Sequence, residues 1–129
     1  MKKTFDFSGF ASREASEKGT EVPIHNDAGE DSGIIIRIAG PDSSRRRQIA
    51  ERIFDTRVEA GTVKPMTLSE IDAANLEEAI AATISWKFPT AFEGPECTAE
   101  NVRKVYTEYP SILSQVIAAG KNKALFTKS

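Results

Sequence analysis

The sequence predicts an α+β domain, mostly α-helical, with about four helices and one β-hairpin near its N-terminus. Beyond Gly40-Pro41, apolar residues recur at helical spacing, whereas β-branched residues flank a turn-rich loop before that point. Strands and helices do not alternate along the chain, which excludes an α/β fold. The 129 residues suit a single domain, in which we assign residues 1–20 to a flexible arm, 21–126 to the globular body and 127–129 to a tail.

The arm is polar and rich in small residues apart from Phe5, Phe7 and Phe10. Such a segment buries too little apolar surface to offset its ordering entropy, so we expect it to be flexible with an anchored start. Phe5 and Phe7 occupy alternate positions, which is compatible with two structures. The segment either pairs as an edge strand or packs onto a partner.

The hairpin prediction depends on two short apolar runs. Val22 and Ile24 precede an acidic, Gly-containing loop, and residues 34–38 follow it with four isoleucines. Because Pro23 cannot donate a hydrogen bond to a neighbouring strand, the first strand is expected at the edge of the sheet.

Four helices are expected after the hairpin, each with its own boundary signals. In chain order these signals are a polar cap within residues 42–44, Gly61, a capping box of Thr67 and Glu70, Trp86 at the end of an Ala-rich helix, Thr98 as a cap, and the Tyr109-Pro110 break. The predicted apolar stripes are Ile49, Ile53, Phe54 and Val58; Ile71, Leu76, Ile80 and Ile84; Val102, Val105 and Tyr106; and Leu113, Val116 and Ile117.

Composition and spacing argue against several functions. A net charge of −2 lacks the basic excess of a nucleic-acid-binding domain, and a single Cys with a single His excludes a Cys-rich zinc site and a His-rich metal cage. His25 lies at the hairpin turn and Cys97 before a helix cap, so neither forms a recognisable nucleophile–base pair. We therefore expect that the protein is not an enzyme and that it has no catalytic, cofactor-binding or metal-binding residues. No apolar run is long enough for a signal peptide or membrane span, which favours a cytoplasmic protein without a membrane partner.

The run Arg45-Arg46-Arg47 is the densest concentration of charge. At the start of a helix it has three interpretations: a solvated face, contact with an acidic protein, or contact with nucleic acid. Asp42 and Glu51 lie nearby and weaken its field, so we expect no nucleic-acid partner and leave the role of the run open.

Three further sequence features are informative when they are taken together and in chain order. They are the strand and turn at residues 33–43 (GIIIRIAGPDS) followed by the Arg-rich helix; Trp86 closing an Ala-rich helix; and residues 92–101 (FEGPECTAEN) followed by Tyr109-Pro110, a final Val/Ile helix and Phe126. Together they resemble the tail assembly chaperones of long, non-contractile tailed bacteriophages. The resemblance covers the chain from about Val22 to Phe126, and none of its motifs is catalytic.

The resemblance implies a non-enzymatic protein of the host cytoplasm that is absent from the mature virion. Such chaperones coat the helical tape measure protein and recruit tail tube subunits, and many are also made in a longer form by a ribosomal frameshift. The expected partners are therefore the tape measure protein, the tail tube protein and further copies of this chain. A small head–tail connector or tail subunit retained in the virion is the alternative.

Two sets of residues are candidates for these contacts. Exposed aromatic residues are frequent hot spots of protein interfaces, and a hairpin edge can pair with another chain. For the client we select Trp86, Phe88, Phe92, Leu113, Val116 and Ile117. For self-association we select Phe5, Phe7, Ile34, Ile36 and Ile38.

Overall fold

The computed structural model describes residues 3–7, 10, 12–61 and 64–126. Within these ranges, five α-helices accompany a three-stranded antiparallel sheet, which confirms the predicted fold class. In chain order the elements are α1 (Ser12–Lys18), β1 (Thr20–His25), β2 (Asp31–Ile38), α2 (Ser44–Glu59), α3 (Leu68–Ala82), β3 (Thr83–Lys87), α4 (Ala99–Glu108) and α5 (Pro110–Lys121), followed by a 3₁₀ turn at Lys123–Phe126. The predicted tail at residues 127–129 lies outside the described residues.

The sheet has the order β1-β2-β3, and its first two strands form the predicted hairpin. Val22 pairs with Ile36, and β1 lies at an edge, as Pro23 indicated. β3 was not predicted, because the Ala-rich helix was expected to continue to Trp86. The helix instead ends at Ala82, where the β-branched pair Thr83-Ile84 begins a strand that pairs with β2.

The core lies between one face of the sheet and helices α3, α4 and α5. Its buried members are Val22, Ile24, Ile36, Ile38, Ala79, Ile80, Val102, Tyr106, Val116 and Phe126. Tyr106 shares a hydrogen bond of 2.6 Å with Thr83, so the one buried phenol is satisfied inside the core. On the opposite face of the sheet, Glu21 lies 3.5 Å from Arg37 and 3.3 Å from Lys87.

The arm prediction is wrong for residues 12–18, which form α1. Ser16 is fully buried, and its carbonyl accepts a hydrogen bond of 2.9 Å from the Gly40 amide. The Glu17 carboxylate accepts from the amide and hydroxyl of Ser44 at the start of α2. These contacts join residues that are 24 to 27 positions apart, so the local composition contained no signal for them.

The helix caps agree well with the predictions. Ser43 caps α2, Thr67 and Glu70 form the capping box of α3, Thr98 caps α4, and α5 begins at Pro110. Each cap is a contact within three residues, which explains why the sequence was sufficient to place it.

The predicted apolar stripe of α2 is wrong at its C-terminal half. Phe54 and Val58 are 66% and 59% exposed, because α2 packs mainly on α3 and leaves its outer side in solvent. On α3, Ile71 is likewise 42% exposed.

Arg46 is instead one of the buried residues of α2, at 8% exposure. Its Nε donates to the Ala39 carbonyl and its Nη1 to the Glu78 carboxylate, both at 2.9 Å. Its Nη2 has no hydrogen-bond partner among the described residues and lies against Gly120 of α5. Gly120 is therefore the residue that makes room for the guanidinium.

We predict that Gly120→Ala lowers the free energy of unfolding by about 1–3 kcal/mol through overpacking. A Cβ at this position would lie 2.3 Å from Nη2, and Arg46 cannot withdraw without losing its bonds to Ala39 and Glu78. Urea denaturation measures the change. Ala118→Gly, at an exposed site of the same helix, is the control. It measures the difference in helix propensity between Ala and Gly alone, which is about 0.5–1 kcal/mol. A stabilising effect of Gly120→Ala would contradict the packing of Arg46.

We predict that alkaline pH weakens the fold through Tyr106. Burial raises the pKa of Tyr106 from 10.0 to about 12, although the Thr83 hydroxyl partly opposes the shift. The unfolded chain therefore releases this proton first, and stability falls as the pH rises from about 10 to about 12. The unfolding free energy, measured across this range, should fall less steeply for Tyr106→Phe than for the wild type. An equal pH dependence of the unfolding free energy in the two proteins would contradict this role of Tyr106.

Candidate partner-binding groove

An open apolar groove lies between the core-facing side of β2–β3 and the junction of α4 with α5. Its volume is about 600 Å³. It is lined by Ile34, Ile36, Trp86, Phe88, Pro95, Lys104, Val105, Glu108, Tyr109 and Ile112. We call this surface the α4–α5 groove.

One wall of the α4–α5 groove is aromatic and internally braced. The Trp86 and Phe88 rings meet edge to face with centroids 5.7 Å apart, and the Trp86 indole N–H donates to the Pro95 carbonyl at 2.9 Å. Gly94 lies so close to the Phe88 ring that a Cβ there would be 2.1 Å from it. The loop after β3 thus folds back over its own aromatic residues and holds this wall in place.

The opposite wall crosses the junction of two helices. Val105, Tyr109 and Ile112 follow one another at helical spacing although Pro110 separates the helices, and Tyr109 is 55% exposed. Lys104 and Glu108, one turn apart on α4, add opposite charges to the lining. The sequence does not predict this wall, because Tyr109-Pro110 indicates a break between two helices and hides the apolar spacing that continues across it.

The predicted client-binding residues separate into four groups. Trp86 and Phe88 line the groove, whereas Phe92 is 71% exposed and lies outside its lining. Leu113 and Ile117 are half-buried against the core. Val116 is fully buried, so its selection as a contact residue is wrong in this structure. Helical periodicity marks the face that is covered, but it does not distinguish a core from an open groove.

The predicted self-association residues are also divided. Ile36 and Ile38 are core residues at 1% and 0% exposure, and β2 is the central strand, so it offers no free edge to a second copy. Ile34 is half-buried and lines the α4–α5 groove. Phe5 and Phe7 are 63% and 69% exposed, as contact residues need to be.

The arginine run does not form a shared exposed patch. Arg46 is buried, Arg47 lies 3.5 Å from Glu51 one turn along the helix, and Arg45 reaches the Thr83 carbonyl at 3.5 Å. Each arginine therefore has a different environment, and only two of the three side chains face solvent.

Reactive groups are sparse in the part of the chain that the structure describes. Cys97 is half-buried, and burial raises the pKa of its thiol while the nearby charge of Arg45 opposes the shift. No group of three or more His, Cys, Asp and Glu side chains within the described ranges is arranged to hold a metal ion. None of the described helices is long and apolar enough to span a bilayer.

A second, smaller cleft of about 360 Å³ lies between α2 and α3. Ile49, Ile53 and Ala73 form part of its apolar lining. The ion pair between Arg57 and Glu70, 2.8 Å apart, lies in the same lining and joins the two helices across the cleft.

Comparison of the chain with protein-family models, with curated proteins and with solved structures finds no match.

We predict that Gly94→Ala opens the aromatic wall. The added methyl group displaces either the Phe88 ring or the loop, and the overpacking should destabilise the fold by about 1–3 kcal/mol. Because Trp86 is the only tryptophan, acrylamide quenching of its fluorescence should increase in this variant. Thr90→Ala, at an exposed position of the same loop, is the control. Unchanged quenching in Gly94→Ala would show that the loop does not brace Trp86.

Proposed function

We propose that this protein is a non-enzymatic tail assembly chaperone that binds an amphipathic helix of a tape measure protein in the α4–α5 groove. It acts in the host cytoplasm, recruits tail tube subunits to the tape, associates with further copies of itself and is absent from the finished virion. The alternative, a head–tail connector or tail subunit that stays in the particle, makes the opposite prediction about virion content.

The observation that carries the proposal is the shape and chemistry of the α4–α5 groove. An amphipathic helix binds a groove through side chains at positions i, i+3 or i+4, and i+7, which span roughly 10 Å along its axis. The groove offers Trp86 and Phe88 on one side and Val105, Tyr109 and Ile112 on the other. Large, rigid aromatic residues around an apolar floor are typical of interface hot spots.

The rim supports a peptide rather than a small-molecule substrate. Lys104 and Glu108 are exposed and of opposite charge, so they can fix the direction of a bound helix without being buried. Among the described residues, none of those that line the groove is a Ser, Cys, His or Asp. An open apolar surface with a charged rim suits reversible binding without chemistry.

The resemblance of residues 22–126 to tail assembly chaperones supports the same proposal. These chaperones bind more than one partner, and the protein has apolar surface outside the α4–α5 groove. Phe54 and Val58 on α2, with Leu68 and Ile71 on α3, are between 42% and 75% exposed. We assign tail tube subunits to this outer α2–α3 surface.

The direct test is co-expression with the long, helix-rich reading frame that neighbours this one. We expect the large protein to remain soluble and to co-purify only when this chain is present. Tyr109→Asp should weaken binding of a helical tape measure peptide at least about 30-fold, the effect of losing a hot spot. Asp is also a favourable helix cap at the first position before α5, so the fold should tolerate it.

The matched control is Phe54→Ser, which removes an exposed apolar residue outside the groove. It should leave peptide binding unchanged. Equal loss of binding in Phe54→Ser and Tyr109→Asp, or no binding by the wild type, would contradict the groove assignment.

Virion composition separates the two candidate functions. Mass spectrometry of purified particles should detect the tube and tape proteins and not this chain. Its presence at a fixed copy number would favour the structural subunit.

A further inference from the structure

A compact aromatic cluster precedes α1. Phe5, Phe7 and Phe10 are 63%, 69% and 74% exposed. The Phe5 and Phe7 rings meet edge to face with centroids 4.7 Å apart, and the Phe10 amide donates to the Phe7 carbonyl at 2.8 Å. We call these three residues the aromatic knob. It is the densest group of exposed aromatic side chains among the described residues.

The knob leads into α1, which begins near the end of α5 that lies away from the α4–α5 groove. Arg13, three residues after the knob, lines the same surface cleft as Arg46. Arg46 contacts Gly120 near the end of α5, whereas Ile112 near its start lines the groove. These two positions are separated by roughly 12 Å along the helix. None of the three knob residues lines the groove of its own chain, so this groove is open to the knob of a neighbouring molecule.

The two surfaces match in chemistry. The knob offers phenylalanine rings, and the groove offers Trp86, Phe88 and Tyr109, so each ring can make edge-to-face contacts in addition to burying apolar surface. The exposed Lys3 beside the knob and the exposed Glu108 on the groove rim carry opposite charges.

We propose that, in the free protein, the aromatic knob of one copy occupies the α4–α5 groove of a second copy, reciprocally, in a twofold dimer. The dimer itself does not depend on the proposed function. Its consequence does: where the groove also takes a client helix, the knob and the client compete for it, and the dimer is the resting state of the chaperone.

The available area suits reciprocal exchange. Each aromatic residue can bury about 150–250 Å², so the six phenylalanines of two knobs remove on the order of 900–1,500 Å² of surface from water. This range overlaps the size of a stable specific interface, about 1,200–2,000 Å². A single knob in a single groove buries about half as much, which corresponds to a weak and transient contact.

The first experiment measures mass by analytical ultracentrifugation over a hundredfold range of protein concentration, without any client. We expect a monomer–dimer equilibrium. The double variant Phe5→Ser/Phe7→Ser and the groove variant Tyr109→Asp should each weaken dimerisation at least tenfold. Leu125→Ser is the control, because Leu125 is exposed and belongs to neither the knob, the groove nor the α2–α3 surface, and it should leave the equilibrium unchanged. A monomeric wild type at all concentrations, or dissociation caused by Leu125→Ser, would overturn the proposal.

The second experiment mixes the two defective proteins. The knob variant retains an intact groove and the groove variant retains an intact knob, so an equimolar mixture restores one knob–groove contact. We expect a heterodimer in the mixture under conditions in which neither variant dimerises alone. No heterodimer at the highest concentration would overturn the reciprocal arrangement.

Folding is checked by circular dichroism for each variant. Lys104→Trp provides a second groove variant, because it places a bulky ring on an exposed rim position and leaves the core untouched. Docking of the knob into the groove of its own chain is also distinguishable. In that case the wild type stays monomeric while Phe5→Ser/Phe7→Ser changes Trp86 fluorescence, which overturns exchange between copies.

The two proposals fail separately. A dimer that depends on the knob, together with no binding of the tape measure peptide, removes the proposed function alone. Peptide binding without a dimer removes the knob exchange and the self-association, and it leaves the binding of the tape measure helix in place. Where both hold, Phe5→Ser/Phe7→Ser should bind the peptide more tightly than the wild type, because it has no competing knob.

Discussion

The buried guanidinium of Arg46 connects three helices with the end of β2. From α2 it donates to Ala39 at the end of the sheet and to Glu78 on α3, and it lies against Gly120 on α5. An arginine taken out of water needs most of its donors satisfied and needs space for a planar group. The carbonyl, the carboxylate and the glycine supply these, and together they determine how α2 and α5 meet the sheet.

At the opposite end of α5 the packing is more open. The helices cover one face of the sheet, and the α4–α5 junction at Tyr109-Pro110 leaves apolar surface of β2 and β3 partly accessible. The braced loop from Phe88 to Pro95 closes one side of this surface and keeps Trp86 in position. The surroundings of α5 are therefore closely packed and hydrogen-bonded near its C-terminus, and they form an open aromatic groove near its N-terminus.

An open aromatic groove would have to be protected in the proposed chaperone until a client binds. Exposed apolar surface promotes nonspecific association unless something covers it. Capping by the knob of a second copy would protect the groove and still allow release, because a client helix presenting more apolar contacts can displace it. The knob residues would then keep the groove covered in the free protein and uncover it when a client helix binds.

Features with local causes were predictable from the amino-acid sequence. The hairpin, the edge position implied by Pro23, the caps at Thr67 and Thr98 and the break at Pro110 depend on contacts within a few residues. Long-range packing instead places residues 83–87 in a strand and residues 12–18 in a docked helix, and it leaves some apolar faces open. The physical reason is that burial depends on what packs against a segment: the same helical spacing placed Val116 in the core and Tyr109 in a groove.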